Sequence, residues 1–226
     1  MIISCILQKV NHAVYLMENN SKPKLLRTEI KHAAIMNAAK ELFLNLGYLA
    51  TSTNAIADKA CVSKRTIYEH FGNKNQLFAN VLQEHWNLLL NSNHNIFNEN
   101  QTITDNLKNF ANIFLKFLYQ QDTIDLFRLL ISESNKFPDL IEHILVDDKA
   151  PFTRKLTEFL TQNKDNGKLI IDDVDRAGSY FIGLLKEYHF WPMMLGFTKQ
   201  KKLVDQQKLI DDAVWIFLEA YKNKLT

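Results

Sequence analysis

Apolar side chains recur at helical spacing along most of the chain, and no stretch alternates as a strand would. Between Thr28 and Leu46, the residues Ile30, Ala34, Ile35, Ala38, Leu42 and Leu46 mark one side of a helix. Phe43 widens that stripe, and Gly47 is a natural stop. Ile56, Ala57 and Ala60 then sit one turn apart, Val62 falls in a connection, and Ile67 and Phe71 form an i, i+4 pair. Two short helices joined by a tight turn are therefore predicted over about 52–71, with Ser63 as N-cap of the second. With Ile67 inward, a step of about 100° per residue sends Arg65, Tyr68 and Glu69 outward and leaves Lys64 and Thr66 on the flanks. A face of that composition suits a helix lying in the major groove of DNA.

After the Gly72–Asn73 turn, Leu77, Phe78, Val81, Leu82, Trp86 and Leu89 predict a long helix over Lys74–Leu90. The Asn-rich segment Asn91–Asn100 reads as loop or frayed helix. Helices follow over 105–119 and 122–134, and another restarts at Phe137-Pro138 and is broken at Pro151. An amphipathic helix over 152–163 is ended by Asn166-Gly167. Asp172-Asp173 favours the start of a helix over 174–195, which Pro192 should kink or terminate. The last helix runs from about Val204 to Lys222. The pattern predicts an all-α chain: a tail over 1–22, a three-helix head over 23–75, and a larger helical body over 76–226. The apolar run Met1–Leu7 is too short to span a bilayer, and its first Lys follows it, the wrong order for a secretory signal. Met17 is an alternative translation start.

Composition narrows the function classes. Apolar content of 46% and charged content of 23% are ordinary for a soluble globular protein, and the low cysteine count points to a reduced cytoplasmic setting. Two cysteines are too few for a disulfide framework. The net charge is only +2 but is unevenly spread. Between Lys24 and Asn75 eight basic side chains face four acidic ones, a net +4, which leaves −2 for the rest. Positive charge thus collects where the helix pair lies, as phosphate binding requires. Catalysis is disfavoured. His85, His94, His143 and His189 form no metal-ligand spacing, and no Gly-rich phosphate loop or nucleophile elbow occurs. Asp147-Asp148 and Asp211-Asp212 are adjacent pairs that point to different sides of a helix. No metal or cofactor is expected.

Ile35, Ala38-Ala39, Leu42-Phe43, Gly47-Tyr48, Thr51-Ser52, Ile56-Ala57, Val62-Ser63-Lys64, Thr66-Ile67-Tyr68, His70-Phe71, Lys74 and Leu77 follow one another in gapless register. In that register the chain resembles the TetR family of one-component transcriptional regulators over about Arg27–Val81. In the body, Leu126-Phe127-Arg128-Leu129-Leu130-Ile131-Ser132-Glu133-Ser134, Phe137-Pro138 and Gly183-Leu184-Leu185 resemble the AefR-like C-terminal regions of that family, a branch associated with control of efflux or quorum sensing.

The resemblance implies a homodimer, paired through the helices over about 172–195 and 204–222, that binds operator DNA as a repressor. It would let go when a small apolar or amphipathic inducer enters the body and the two recognition helices lose their one-turn spacing. In the head, Thr51, Ser52 and Thr53 would meet phosphate at the start of the motif. Tyr68, His70 and Lys74 would also reach backbone phosphate, while Ser63, Lys64, Arg65, Thr66 and Glu69 would face bases or the groove rim. Two departures stand out: Cys61 where the family usually has Gly, and Ala55 in place of an acidic capping-box partner for Ser52.

Other readings stand beside these. Lys64 and Arg65 suit ordinary solvated charges, Tyr68 suits packing on the long helix, and His70 suits a packed, hydrogen-bonded histidine. Glu69 would repel phosphate yet could accept from cytosine N4. In the body, Trp86, Phe110, Phe114, Phe117, Phe127, Tyr180 and Tyr188 are candidates for the ligand cavity, against core and dimer packing. The competing function is a helical ligand-sensing module without DNA-binding activity.

Overall fold

The computed structural model describes residues 23–91, 96–135, 138, 151–196 and 205–223. The tail over 1–22 and the helix restart at Phe137 fall outside the described residues. Every described element is a helix, and the one strand-like feature among them is an isolated antiparallel bridge between Leu169 and Lys222. The chain forms two compact units, Met1–Glu84 and His85–Thr226.

The first unit holds α1 (Pro23–Leu46), α2 (Thr53–Ala60), α3 (Lys64–Phe71) and the opening turns of α4 (Lys74–Asn91). α1 begins at Pro23, not at Thr28, because proline's fixed φ suits a first helical position. Its buried side is Ile35, Met36, Ala38, Ala39 and Phe43, whereas Leu46 is 53% exposed. The stripe read through Ile30, Ala34, Leu42 and Leu46 is therefore off-centre, since all but Leu46 are half-buried. Phe43 sets the inward line: its ring lies 5.6 Å from Tyr48 and 5.0 Å from Phe78, so the row 35–39–43 turns to the core. Gly47 ends α1 at φ +83, its N–H donating to Phe43 O at 3.0 Å. No atom lies within 4 Å of where its Cβ would be, so glycine is needed there for conformation, not space.

α2 is capped by Ser52, whose Oγ accepts from the Ala55 N–H at 3.1 Å, and α3 by Ser63, which accepts from the Thr66 N–H. Between them Cys61 adopts the left-handed conformation at φ 54, the only non-glycine among the described residues with positive φ. That conformation costs a side-chain-bearing residue about 1 kcal/mol. The turn is held by Val62 N–H on Ala57 O at 3.0 Å. Ile56, Ala57 and Ala60 of α2 and Ile67 and Phe71 of α3 are buried.

The second unit contains the remaining turns of α4, then α5 (Ile103–Leu118), α6 (Gln121–Glu133), α7 (Pro151–Asp165), α8 (Val174–Met194) and α9 (Gln206–Tyr221). Its core is a column of rings. Phe159 stacks on Phe97 at 4.1 Å, Phe97 on Phe110 at 5.7 Å, and the column continues through Phe181 to Phe217. The loop before α5 is not helix because the buried Asn106 side chain takes its backbone groups. Asn106 Oδ1 accepts from Asn98 N–H at 2.6 Å, and its Nδ2 donates to the carbonyls of Asn98 and Thr102. Pro192 sits in the last turn of α8, which stops at Met194. Arg128 of α6 closes that end, donating from Nη2 to Met193 O at 2.7 Å and from Nε to Met194 O at 3.1 Å. Lys108 of α5 and Asp211 of α9 pair at 2.6 Å, and the Lys108 hydrogen bond holds the Asp211 carboxyl below its ordinary value.

Gly47→Ala forces a Cβ into positive φ without a clash. The head's unfolding free energy should fall by about 1 kcal/mol in denaturant titration. An unchanged midpoint would mean that the turn relaxes at no cost.

Candidate nucleic-acid interface and effector cavity

α3 is amphipathic over only eight residues. Ile67 is wholly buried and Phe71 nearly so, which fixes the helix by one side and leaves Ser63, Lys64, Arg65, Tyr68 and Glu69 exposed together. Thr66 is half-buried, its hydroxyl 2.8 Å from Ser63 Oγ. The Lys64 ammonium lies 5.8 Å from the Tyr68 ring centre. Arg65 Nε donates to Glu69 Oε1 at 2.7 Å, and that carboxylate raises the guanidinium pKa above its ordinary value, first by the hydrogen bond and then by charge. Both side chains remain exposed, so the pair adds little stability; what it does is orient the guanidinium on the helix surface. His70 is half-buried beside α1, its ring 6.2 Å from His32 and 6.0 Å from Phe71. At the start of α2, Ser52 is exposed and Thr53 half-buried.

Two residues read as phosphate contacts are placed otherwise. Thr51 is fully buried, and its hydroxyl lies within hydrogen-bond reach of Gly47 O at 2.7 Å and Leu42 O at 3.0 Å, so it fastens the end of α1 and cannot present its Oγ1 to DNA. Lys74 is half-buried. Its ammonium donates to Tyr48 O at 2.9 Å and Thr51 O at 3.1 Å and stands 4.2 Å from the Tyr48 ring centre. It binds the chain's own carbonyls, and Tyr48 in turn donates its hydroxyl to Asn75 Oδ1. Lys59 likewise pairs with Glu41 at 2.6 Å.

The second unit contains a partly open cavity of about 160 Å³. Four of the expected aromatic residues line it: Trp86, Phe114, Phe117 and Phe127. Phe110 does not, being part of the central ring column. Tyr180 and Tyr188 do not either; they lie on the surface, 57% and 63% exposed. The reason is register. On α8 the cavity is met by Ile182, Lys186 and Phe190, an i, i+4, i+8 row, and residues 180 and 188 project well away from that row. Sequence reasoning missed this row because it selected aromatic residues without fixing their helical face. It also missed Phe152 and Thr153 of α7, although Phe152 packs on Phe117 at 5.0 Å. No group of His, Cys, Asp or Glu able to hold a metal occurs among the described residues, and none of their helices is long and apolar enough to cross a membrane.

The family model for bacterial regulatory proteins of the tetR family matches residues 35–81, and that for the AefR-like transcriptional repressor C-terminal domain matches residues 105–223. The chain belongs to the TetR family. Among relatives, the uncharacterized HTH-type transcriptional regulator YvkB of Bacillus subtilis is 26% identical over 186 residues, covering 82% of this chain and 94% of that one. The HTH-type transcriptional activator FasR of Mycolicibacterium smegmatis is 38% identical over 66 residues, 29% of this chain and 30% of its own. Of solved structures, the flavonoid-responsive regulator FrrA superposes with a TM-score of 0.74 at 26% identity, over 86% of this chain and 98% of that chain. A TetR transcriptional regulator from Agrobacterium tumefaciens shares the fold with a TM-score of 0.66 at 23% identity, over 86% and 95%.

Like other TetR-family proteins, this chain is a DNA-binding transcriptional regulator of helix-turn-helix type, and the family acts as dimers on operator DNA. Within that family frame, Thr51 and Lys74 brace the motif from inside. Thr51→Val removes the one hydroxyl donor that lies within reach of both carbonyls in a buried place, and should cost the head about 1–2 kcal/mol of stability in thermal or denaturant unfolding, while Thr51→Ser should retain most of it. A wild-type melting curve for the valine variant would show that the hydroxyl bonds contribute nothing.

Proposed function

We propose that this regulator is a cytoplasmic homodimeric repressor that reads its operator with α3 and releases it when a small amphipathic molecule enters the cavity of the second unit. The head is assigned to 23–75 and the sensing and dimerisation part to 76–226. The observation that carries the reading is the division of α3. Ile67 and Phe71 hold it down while Lys64, Arg65, Tyr68 and Glu69 share its free face. Ser52, Thr53 and Ser63 supply hydroxyls and capped helix starts for phosphate, where N-terminal N–H groups favour an anion. Arg65 is assigned to base reading: with Nε on Glu69, its two Nη groups remain to meet guanine O6 and N7. Thr66 and His70 are assigned to the groove rim.

Dimerisation is assigned to α8 and α9. Large apolar side chains stay uncovered on both, Tyr180, Tyr188 and Trp191 on α8 and Trp215 and Ile216 on α9. Trp215 alone is 65% exposed. Two such helices from each subunit make a four-helix bundle across a two-fold axis. The aromatic cavity supports an inducer with an apolar or aromatic body, and the flavonoid response in the name of FrrA belongs to a protein of similar structure.

Arg65→Ala should weaken binding to DNA that the parent selects from a random-sequence pool by about 10- to 100-fold, with the dimer intact in sedimentation. Loss of the dimer in that variant, or undiminished DNA binding, would count against the assignment. Trp215→Glu should instead convert dimer to monomer and lose operator affinity through the lost second half-site; a dimeric Trp215→Glu protein would move the interface off α9.

A further inference from the structure

Among the described residues the cavity has one cation in a mostly apolar wall. Lys186 is half-buried on α8 between Ile182 and Phe190, and its ammonium lies 5.5 Å from the Phe190 ring centre. Among the described residues no carboxylate pairs with it, in contrast to Lys59 with Glu41, Lys108 with Asp211 and Lys208 with Asp212. The other side chain with a polar head is Thr153 of α7; the rest are rings and aliphatic chains, among them Trp86, Phe114, Phe127 and Phe152.

From this arrangement we infer that the effector is a one-ring aromatic monocarboxylate, its ring among the phenylalanines and its carboxylate on Lys186, with Thr153 as the second hydrogen-bonding group. The inference rests on the reading of this cavity as the effector site. Charge decides the headgroup. A neutral apolar occupant would strip water from the ammonium and give nothing back, and a cationic one would add repulsion. An anion replaces the lost water with a charge-assisted hydrogen bond in a place of low dielectric. Size decides the body. A volume of about 160 Å³ is close to the ~150 Å³ of an apolar cavity that admits benzene.

The probes are phenylacetate, its neutral isostere phenylacetamide, and the cationic phenethylammonium, titrated calorimetrically into the full-length protein. Phenylacetate should bind roughly tenfold or more tightly than the amide, and phenethylammonium should not bind measurably. Lys186→Met keeps the side-chain stem and should lose that preference for the acid, leaving the amide's affinity within about twofold, and Lys186→Arg should keep it. DNA retention by each variant reports an intact fold. Equal binding of acid and amide by the parent, or a preference for the acid that survives in Lys186→Met, overturns the anion inference and leaves the cavity as an effector site. Failure of all three probes to bind a DNA-competent parent overturns both.

Discussion

The head is organised around an ammonium group turned onto the chain's own carbonyls. Lys74 puts its charge on the carbonyls of Tyr48 and Thr51, the two residues that bracket the turn between α1 and α2, and on the face of the Tyr48 ring. A half-buried cation is costly unless its donors are used. Here they are used on backbone groups that no helix satisfies, at the point where α1 has ended and α2 has not begun. Thr51 closes the same turn from beneath through its hydroxyl, and Tyr48 locks into the ring cluster of Phe43 and Phe78. The position of α2, and with it the angle at which α3 is offered, follows from this knot.

The inward bonds of Lys74 bear on the electrostatics of the head. Its eight basic side chains include Lys59, Arg65 and Lys74, and its net +4 already subtracts Glu41 and Glu69. Yet Lys59 answers Glu41, Arg65 answers Glu69, and Lys74 answers carbonyls. The net charge is unchanged by these pairings, but fewer than eight basic side chains are left to meet phosphate, and more of the discrimination falls to the geometry of α3. Glu69 fits this division. By occupying Arg65 Nε it turns a mobile surface charge into a group with a fixed direction, at a price in attraction to phosphate.

What the sequence made legible was periodicity and punctuation. The helices, the serine caps of α2 and α3 and the glycine stop after α1 follow from residue type at fixed spacing, and each has a local cause; the turn at Cys61 follows from the spacing of the two helices, against its residue type. What it did not make legible was direction. Thr51 and Lys74 look like phosphate ligands because hydroxyl and ammonium groups usually face water; only the fold shows that both are consumed by the turn. Tyr180 and Tyr188 look like cavity residues because aromatic rings are usually buried, but α8 presents the row 182–186–190 to the cavity and turns both tyrosines outward. Phase along a helix is a property of its neighbours, and a single sequence does not carry it.

The same helix bears on both activities. α4 runs from Lys74 to Asn91, so its first turns supply Lys74, Leu77 and Phe78 to the head, while Trp86, three turns on, lines the cavity of the second unit. A ligand can shift an equilibrium only by as much as it prefers one state over the other. A pocket of about 160 Å³ is close to the size that holds a single ring. Trp86 is the wall residue that shares a helix with the knot at Lys74. Lys74 and Trp86 thus stand on one continuous helix, the first in the head's turn and the second in the cavity wall.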